Sequence, residues 1–437
     1  MNTTARRAAS HFWRSRILNL PACSRRWNST FETRKWSTPL ARTLASAMKV
    51  TGPIPIAAFM RQVLTSPEGG YYTSRPETGA VFGKHGDFVT SPEISQTFRN
   101  FKSFSSSIEA IYLVEASHTL REMQRQLLCG DSPMEETEIG HRSICKYFDV
   151  PVVWVEDIRL LPHVRPTVPE NQVSDLPQEI MTPTGPQILH KPLKAANTPQ
   201  WRELLVTLNP KAIEENVEGE PEFQLSRAKA STPSSLVIPE ISERFRALKS
   251  QPGSTIEVSP ESRIYAADFA RRIGGDASSA LASKKNSTAP PPQKKTPSGA
   301  ALIMDYGTQS TVPINSLRGI QHHRKVPPLS APGQVDVSAD VDFTSLAEAA
   351  IEGSDGVEVH GPVEQGDFLN ALGITERMEQ LLRKAGDEEK RKTLETGWKR
   401  LVEKTGGSMG QIYKVMAIVP ENSGRRRPVG FGGSVQM

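Results

Sequence analysis

Two short apolar runs, each closed by an acid, constrain this chain more than any other feature. Ala110-Ile111-Tyr112-Leu113-Val114 ends on Glu115, and Ala300-Ala301-Leu302-Ile303-Met304 ends on Asp305. Runs of this length without polar alternation predict strands buried on both faces, the pattern of a parallel sheet covered by helices. After the first run, Leu120, Met123, Leu127 and Leu128 recur at helical spacing, with Ser117 placed to cap that helix. Strand, acid and helix make half of a βαβ unit. Pro151-Val152-Val153-Trp154-Val155 predicts another strand, followed by Glu156 and Asp157. Alternation of this kind argues an α/β fold with a mostly parallel sheet. Ligands of such sheets collect at the carboxyl ends of the strands, where Glu115 and Asp305 both stand.

Elsewhere the pattern is plainer. Pro53 to Leu64 predicts a short helix, and Trp201 to Leu208 and Ser254 to Val258 predict strands. Ser259-Pro260 is a helix start, cap followed by proline, and Gly274-Gly275 is the matching stop. Thr375 to Glu403 reads as helical, and Gly410 to Val419 as a closing strand. Eight prolines between Pro162 and Pro199 mark an irregular insertion, and residues 283–298 a polar, solvated loop. The expected organisation is a leader over 1–36, one part of a domain over 50–165, the Pro-rich insertion over 166–200, and the second part over 201–430.

Charge is unevenly placed. Residues 1–36 hold eight basic residues against Glu32 alone, so with +5 overall the remainder is net −2. A basic nucleic-acid surface is therefore not expected on the body of the protein. An Arg- and Ser-rich stretch without acids before Glu32 reads as a mitochondrial presequence, which implies the matrix. No run of about 18 apolar residues suggests a membrane span. Cys23, Cys129 and Cys145 form no CxxC pair, which argues free thiols rather than zinc or disulfides.

Several residues could carry chemistry. Gly86-Asp87 can form a tight loop that lets backbone approach a ligand, with hydroxyls at Thr90 and Ser91 and Pro92 at a helix start. A purely structural turn and cap explains the same residues equally well. Glu115 can accept hydrogen bonds from both ribose hydroxyls of a nucleoside, or be a solvated strand-end carboxylate. Asp305-Tyr306-Gly307 is either a polar site or a strand end with a turn. Arg318 and His323 are candidate contacts, although adjacent histidines (His322, His323) in a polar loop are commonly just solvated. Asp336, Asp340 and Asp342 lack the glycine and terminal glutamate of a calcium loop, so no metal is expected.

Four blocks together carry a family resemblance. They are Gly86-Asp87-Phe88-Val89-Thr90-Ser91-Pro92-Glu93-Ile94-Ser95; Leu113-Val114-Glu115-Ala116-Ser117 with Leu120-Arg121-Glu122 and Gln124; Asp305-Tyr306-Gly307 with Leu317-Arg318-Gly319 and His323; and Pro332-Gly333 with Asp336 to Phe343. In this order they resemble the MidA-like family, the mitochondrial complex I assembly factors that act as S-adenosylmethionine-dependent protein-arginine methyltransferases. The resemblance implies a Rossmann-like methyltransferase fold with added insertions and S-adenosyl-L-methionine as methyl donor. It implies donor binding by Glu115, Gly86, Asp87, Thr90 and Ser91, and substrate binding by Glu93, Asp305, Arg318 and His323. The acceptor it implies is an arginine on the 49-kDa-type core subunit of complex I.

Two departures stand out. The family has a Glu-Leu-Gly-Pro-Gly-Arg-Gly-Thr type segment before the second block, whereas here Phe98 runs directly into Arg99-Asn100-Phe101. The family's His-Glu-Phe-Phe-Asp-Ala-Leu-Pro type segment is also missing, since Val164 runs directly into Arg165. Loss of whole segments with family-like sequence on either side resembles skipped exons more than gradual decay. The expected consequences are an incomplete central sheet, exposed strand edges and impaired donor binding. A non-catalytic assembly or binding protein is the alternative reading.

Overall fold

The computed structural model describes residues 34–73, 110–115, 118–156, 200–215, 217, 220–275, 297–406 and 408–433. In chain order its main elements begin with α1 (Pro39–Thr51), β1 (Ile54–Pro55) and α2 (Ile56–Thr65). Next come β2 (Ile111–Val114), α3 (His118–Cys129), β3 (Glu135–Thr137), β4 (Gly140–Ile144) and β5 (Pro151–Val155). β6 (Leu204–Leu208), β7 (Phe223–Arg227), α4 (Pro260–Gly274) and β8 (Ala301–Thr308) follow. The rest is β9 (Arg318–Gln321), β10 (Arg324–Val326), β11 (Asp336–Ser338), β12 (Val341–Asp342), α5 (Phe343–Gly353), β13 (Val357–Glu364), α6 (Gln365–Ala371), α7 (Ile374–Lys384), α8 (Glu388–Val402) and β14 (Tyr413–Pro420).

These strands make two four-stranded sheets, ordered β2-β5-β4-β3 and β12-β8-β14-β13, and two three-stranded ones, β1-β6-β7 and β10-β9-β11. The fold is α/β, as expected. The prevailing direction differs from expectation: among the described residues only β2–β5 and β12–β8 pair in parallel. β2 stands at the edge of its sheet, and β12 covers only Gly307 and Thr308 of β8. The strands read as buried on both faces are therefore half open. Val114 is 47% exposed, Leu302 53% and Met304 37%. The strands covered on both faces are instead β5, whose Val152 to Val155 are all buried, and β14. In β14, Met416 and Ile418 pack with α4 and α5, and Val415 and Ala417 with Phe368, Leu369 and Leu401 of α6 and α8. β14 pairs on both sides, with β8 and β13, so every residue of its apolar run finds a wall.

Local signals explain several elements. Ser259 accepts from the Ser262 N–H and Pro260 opens α4, which stops at Gly275 with φ +86°. The helix read over Thr375 to Glu403 is two, α7 and α8, the second capped by Asp387. Residues 254–258, read as a strand, form none. In α3, Leu127 lies outside the buried stripe and is exposed. α1 went unread in the sequence, yet Leu40, Ala41, Leu44, Ala45 and Met48 line one face of the core that also holds Phe59, Val63, Val206 and Phe223. Cys129 and Cys145 are buried free thiols, as expected, and burial raises the Cys129 thiol. Among the described residues, no helix is long and apolar enough to cross a membrane. Ser117, Cys23, the leader up to residue 33 and the Pro-rich insertion up to residue 199 lie outside the described residues.

Candidate active site

The site grows from the carboxyl end of β2 and from Asp305 and Tyr306 inside β8, which runs on to Thr308 instead of ending at Asp305 as the sequence suggested, because β12 and β14 continue the pairing. The Glu115 N–H donates to the Val155 carbonyl at 2.8 Å, which extends the β2–β5 pairing to the acid itself. Its side chain is then set by a relay from the core. Fully buried Trp154 donates through Nε1 to Gln124 Oε1 at 2.9 Å, and Gln124 Nε2 donates to Glu115 Oε2 at 3.3 Å. A rigid indole thus fixes an amide, and the amide orients the carboxylate.

Within β8, the Tyr306 N–H donates to Asp305 Oδ1 at 2.7 Å. Burial raises the Asp305 carboxyl above the ordinary carboxylate range; neighbouring Asp340 adds to this, while Arg318 and the Tyr306 N–H oppose it. Lys414 faces Asp305 across the β8–β14 ladder, and its burial lowers the ammonium. On the other face of the ladder, Tyr306 and Tyr413 pair with ring centroids 4.4 Å apart. Burial, then a hydrogen bond to Tyr306, raises the Tyr413 hydroxyl well above its usual value.

Tyr72 comes from another part of the chain. It follows α2 on a tight turn in which the Tyr71 and Tyr72 N–H groups return to the Val63 and Leu64 carbonyls. Its hydroxyl donates to Oδ1 of buried Asp336 at 2.8 Å. Burial raises that hydroxyl most, followed by Asp336, with smaller contributions from Tyr306 and Glu115. Gly333 permits this arrangement. Its φ is +84°, and a side chain there would strike the Gly69 carbonyl, so only glycine lets the 332–336 loop close on the Tyr72 turn.

Three of the four described candidates, Glu115, Asp305 and Arg318, converge here. His323 does not: it is exposed at the tip of the β9–β10 hairpin with φ +61°. Gly86, Asp87, Thr90, Ser91 and Glu93 lie outside the described residues. The three later aspartates have separate duties. Asp336 holds Tyr72, Asp340 pairs with Arg318 at 2.6 Å, and Asp342 caps α5 while pairing with Arg244 at 3.1 Å. Sequence reasoning passed over Tyr72 and Tyr413 as site residues, and named Tyr306 only as part of the Asp305-Tyr306-Gly307 segment. The available signal was Gly69-Gly70-Tyr71-Tyr72, read as a turn alone. A separate cleft of about 460 Å³, lined by Thr38, Leu40, Gly69, His322 and Gly333 among others, lies on the α1 side of the β9–β10 hairpin. It does not include Glu115 or Asp305.

Carboxylates and phenols clustered in this way suit hydrogen bonding to a nucleoside's hydroxyls and attraction of a cation. The Glu115 carboxylate, oriented from behind by Gln124, fits the ribose of a nucleoside cofactor. Comparison with known proteins bears on which one. Residues 93–363 match a family model described as an S-adenosyl-L-methionine-dependent methyltransferase. Protein arginine methyltransferase NDUFAF7, mitochondrial, from Bos taurus is 30% identical over 429 residues, covering 88% of this chain and 84% of that protein. The protein of the same name from Mus musculus is 29% identical over 430 residues, covering 88% and 85%. A crystal structure of a Burkholderia thailandensis protein bound to S-adenosyl-homocysteine superposes with a TM-score of 0.53 at 18% identity, covering 96% of this chain and 97% of that one. At that identity the likeness speaks for the fold alone.

Proposed function

Since this chain belongs to the family of S-adenosyl-L-methionine-dependent methyltransferases, we propose that its acceptor is the guanidinium of a protein arginine. The convergence of Glu115, Tyr72, Asp305 and Tyr306 carries this reading. Glu115 would hold the ribose of S-adenosyl-L-methionine, which when bound supplies an electrophilic methyl group. A guanidinium is protonated at any physiological pH, so it must be oriented and partly relieved of its proton before a nitrogen can attack. Asp305, whose burial favours proton uptake, supplies an acceptor of that kind beside an aromatic wall. The work of such a site is mostly alignment.

The relatives' names support a mitochondrial setting, in line with the basic leader, and the matrix is the compartment proposed. The acceptor proposed is the 49-kDa-type core subunit of complex I, with methylation supporting assembly. The test is to incubate the full chain with methyl-labelled S-adenosyl-L-methionine and that subunit, then map the label by mass spectrometry. Methylarginine is expected; label on another residue type, or none with the donor bound, overturns the reading.

One observation favours a second reading. β2 lacks a strand on its outer side among the described residues, and the resemblance implies a glycine-rich segment that this sequence does not have. A chain without that floor would bind the donor weakly and serve as a non-catalytic assembly partner. Titration with S-adenosyl-homocysteine separates the two: micromolar binding favours the enzyme, and none at millimolar ligand favours the partner.

A further inference from the structure

The acceptor side of the site already holds a guanidinium. Arg318, the first residue of β9, lays its side chain over the Tyr306 ring, 4.8 Å from the centroid. Its Nη1 donates to Asp340 Oδ1 at 2.6 Å and to the Ser316 carbonyl at 3.0 Å. The side chain is 16% exposed. Asp305 lies close enough for both Arg318 and Asp340 to act on its charge.

The walls around this guanidinium do not depend on it. Glu257 accepts from the Ser316 N–H at 2.9 and 3.1 Å, and the Ser316 hydroxyl also donates to Glu257. The Asp340 N–H in turn donates to Ser316 Oγ at 2.9 Å. Asp340 is thus anchored through its backbone, and Tyr306 is anchored by its strand and by Tyr413. An aromatic face flanked by a carboxylate suits a planar cation, since guanidinium both stacks on rings and pairs with carboxylates. Arg318 uses the box incompletely. Of its three nitrogens only Nη1 makes a hydrogen bond among the described residues, whereas Arg–carboxylate pairs are frequently bidentate. A short tether from β9 explains the compromise: the side chain reaches the box but does not align with it.

We infer that the Tyr306 face, with Asp340, is the subsite for the acceptor guanidinium, and that Arg318 stands in it until a substrate arginine displaces it. This rests on the arginine-acceptor reading above. An incoming arginine exchanges one guanidinium for another, so the charge balance of the box is conserved.

The test uses methylguanidinium chloride as probe, titrated calorimetrically into the full chain. Arg318→Ala is expected to bind it at least tenfold more tightly than the native protein. Adding Asp340→Asn to that variant is expected to return affinity to the native level. Unchanged affinity in Arg318→Ala, or a gain that survives Asp340→Asn, overturns the inference. If Arg318→Ala loses the melting transitions of the native protein, Arg318→Met, which keeps the stem, takes its place in every arm. The outcome is separable from the proposed function. A chain that methylates arginine but shows no gain on losing Arg318 keeps its function and loses this subsite. A chain that captures methylguanidinium only without Arg318, yet methylates no arginine, keeps the subsite and loses the arginine reading.

Discussion

Glu115 is a useful carboxylate because of what stands behind it. Replacing Gln124 by Ala removes the amide between Trp154 and Glu115 while leaving the indole packed. S-adenosyl-homocysteine affinity, read by calorimetry, is expected to fall several-fold in Gln124→Ala and at least tenfold in Glu115→Ala. Equal affinity in all three proteins would remove Glu115 from the donor site. Tyr72 acts differently, through a hydrogen bond to buried Asp336. Tyr72→Phe takes the donor away from a buried carboxylate and is expected to cost about 1–3 kcal/mol in denaturant unfolding. Asp305 gives a pH signature. Its carboxyl is raised on folding, chiefly by burial, so the native state holds more protons than the unfolded chain from the ordinary aspartate range up to the raised value. Stability from this group is present below that window and is lost as pH rises through it. Asp305→Asn keeps an acceptor for the Tyr306 N–H and removes the titration. Its stability is expected to decline less across the window than that of the native protein.

At the scale of elements, β14 and β2 are opposites. β14 is paired on both sides and buried on both faces, while β2 has one partner and a half-exposed face. Local opening follows such differences. Hydrogen exchange is expected to reach the β2 amides early and those of Val415 to Ile418 last. Met416→Ala, at a fully buried position, is expected to cost about 2–5 kcal/mol. Gly333→Ala is a backbone test of the Tyr72 turn: the strain and the collision with Gly69 are expected to destabilise the protein without removing any polar group. The contrast also shows where sequence reading succeeds. The cap and stop of α4 were legible because Ser259, Pro260 and Gly275 act on their own helix. Burial of β2 and β8 on both faces was misjudged because a strand's second wall comes from elsewhere in the chain, and apolar composition does not report whether it arrives.

For the whole molecule, the core formed by the described residues is divided. Cys129, Cys145, Val152 and Trp154 form a cluster that shares no residue with those built around α1 and around β14. Such a chain is not expected to unfold in one cooperative step. Scanning calorimetry is expected to show more than one transition, and S-adenosyl-homocysteine to raise the one that Trp154→Ala lowers, because the proposed donor contact, Glu115, is oriented from that cluster. A single transition, shifted as a whole by ligand, would argue that the two larger sheets behave as one.

By itself the sequence determined the α/β class, the placement of Glu115 at the end of β2 and the local helix signals, which depend on residues near one another in the chain, and the family, through blocks spread along it; it put Asp305 at a strand end, whereas β8 runs on to Thr308. The tertiary structure alone decided that Tyr72 meets Asp336, 264 positions away, that Arg318 lies on Tyr306, and that His323 stands apart on a hairpin tip. Those facts depend on how a turn after α2 and a loop before β11 close on each other, and side-chain chemistry at such distances is set by packing rather than by spacing.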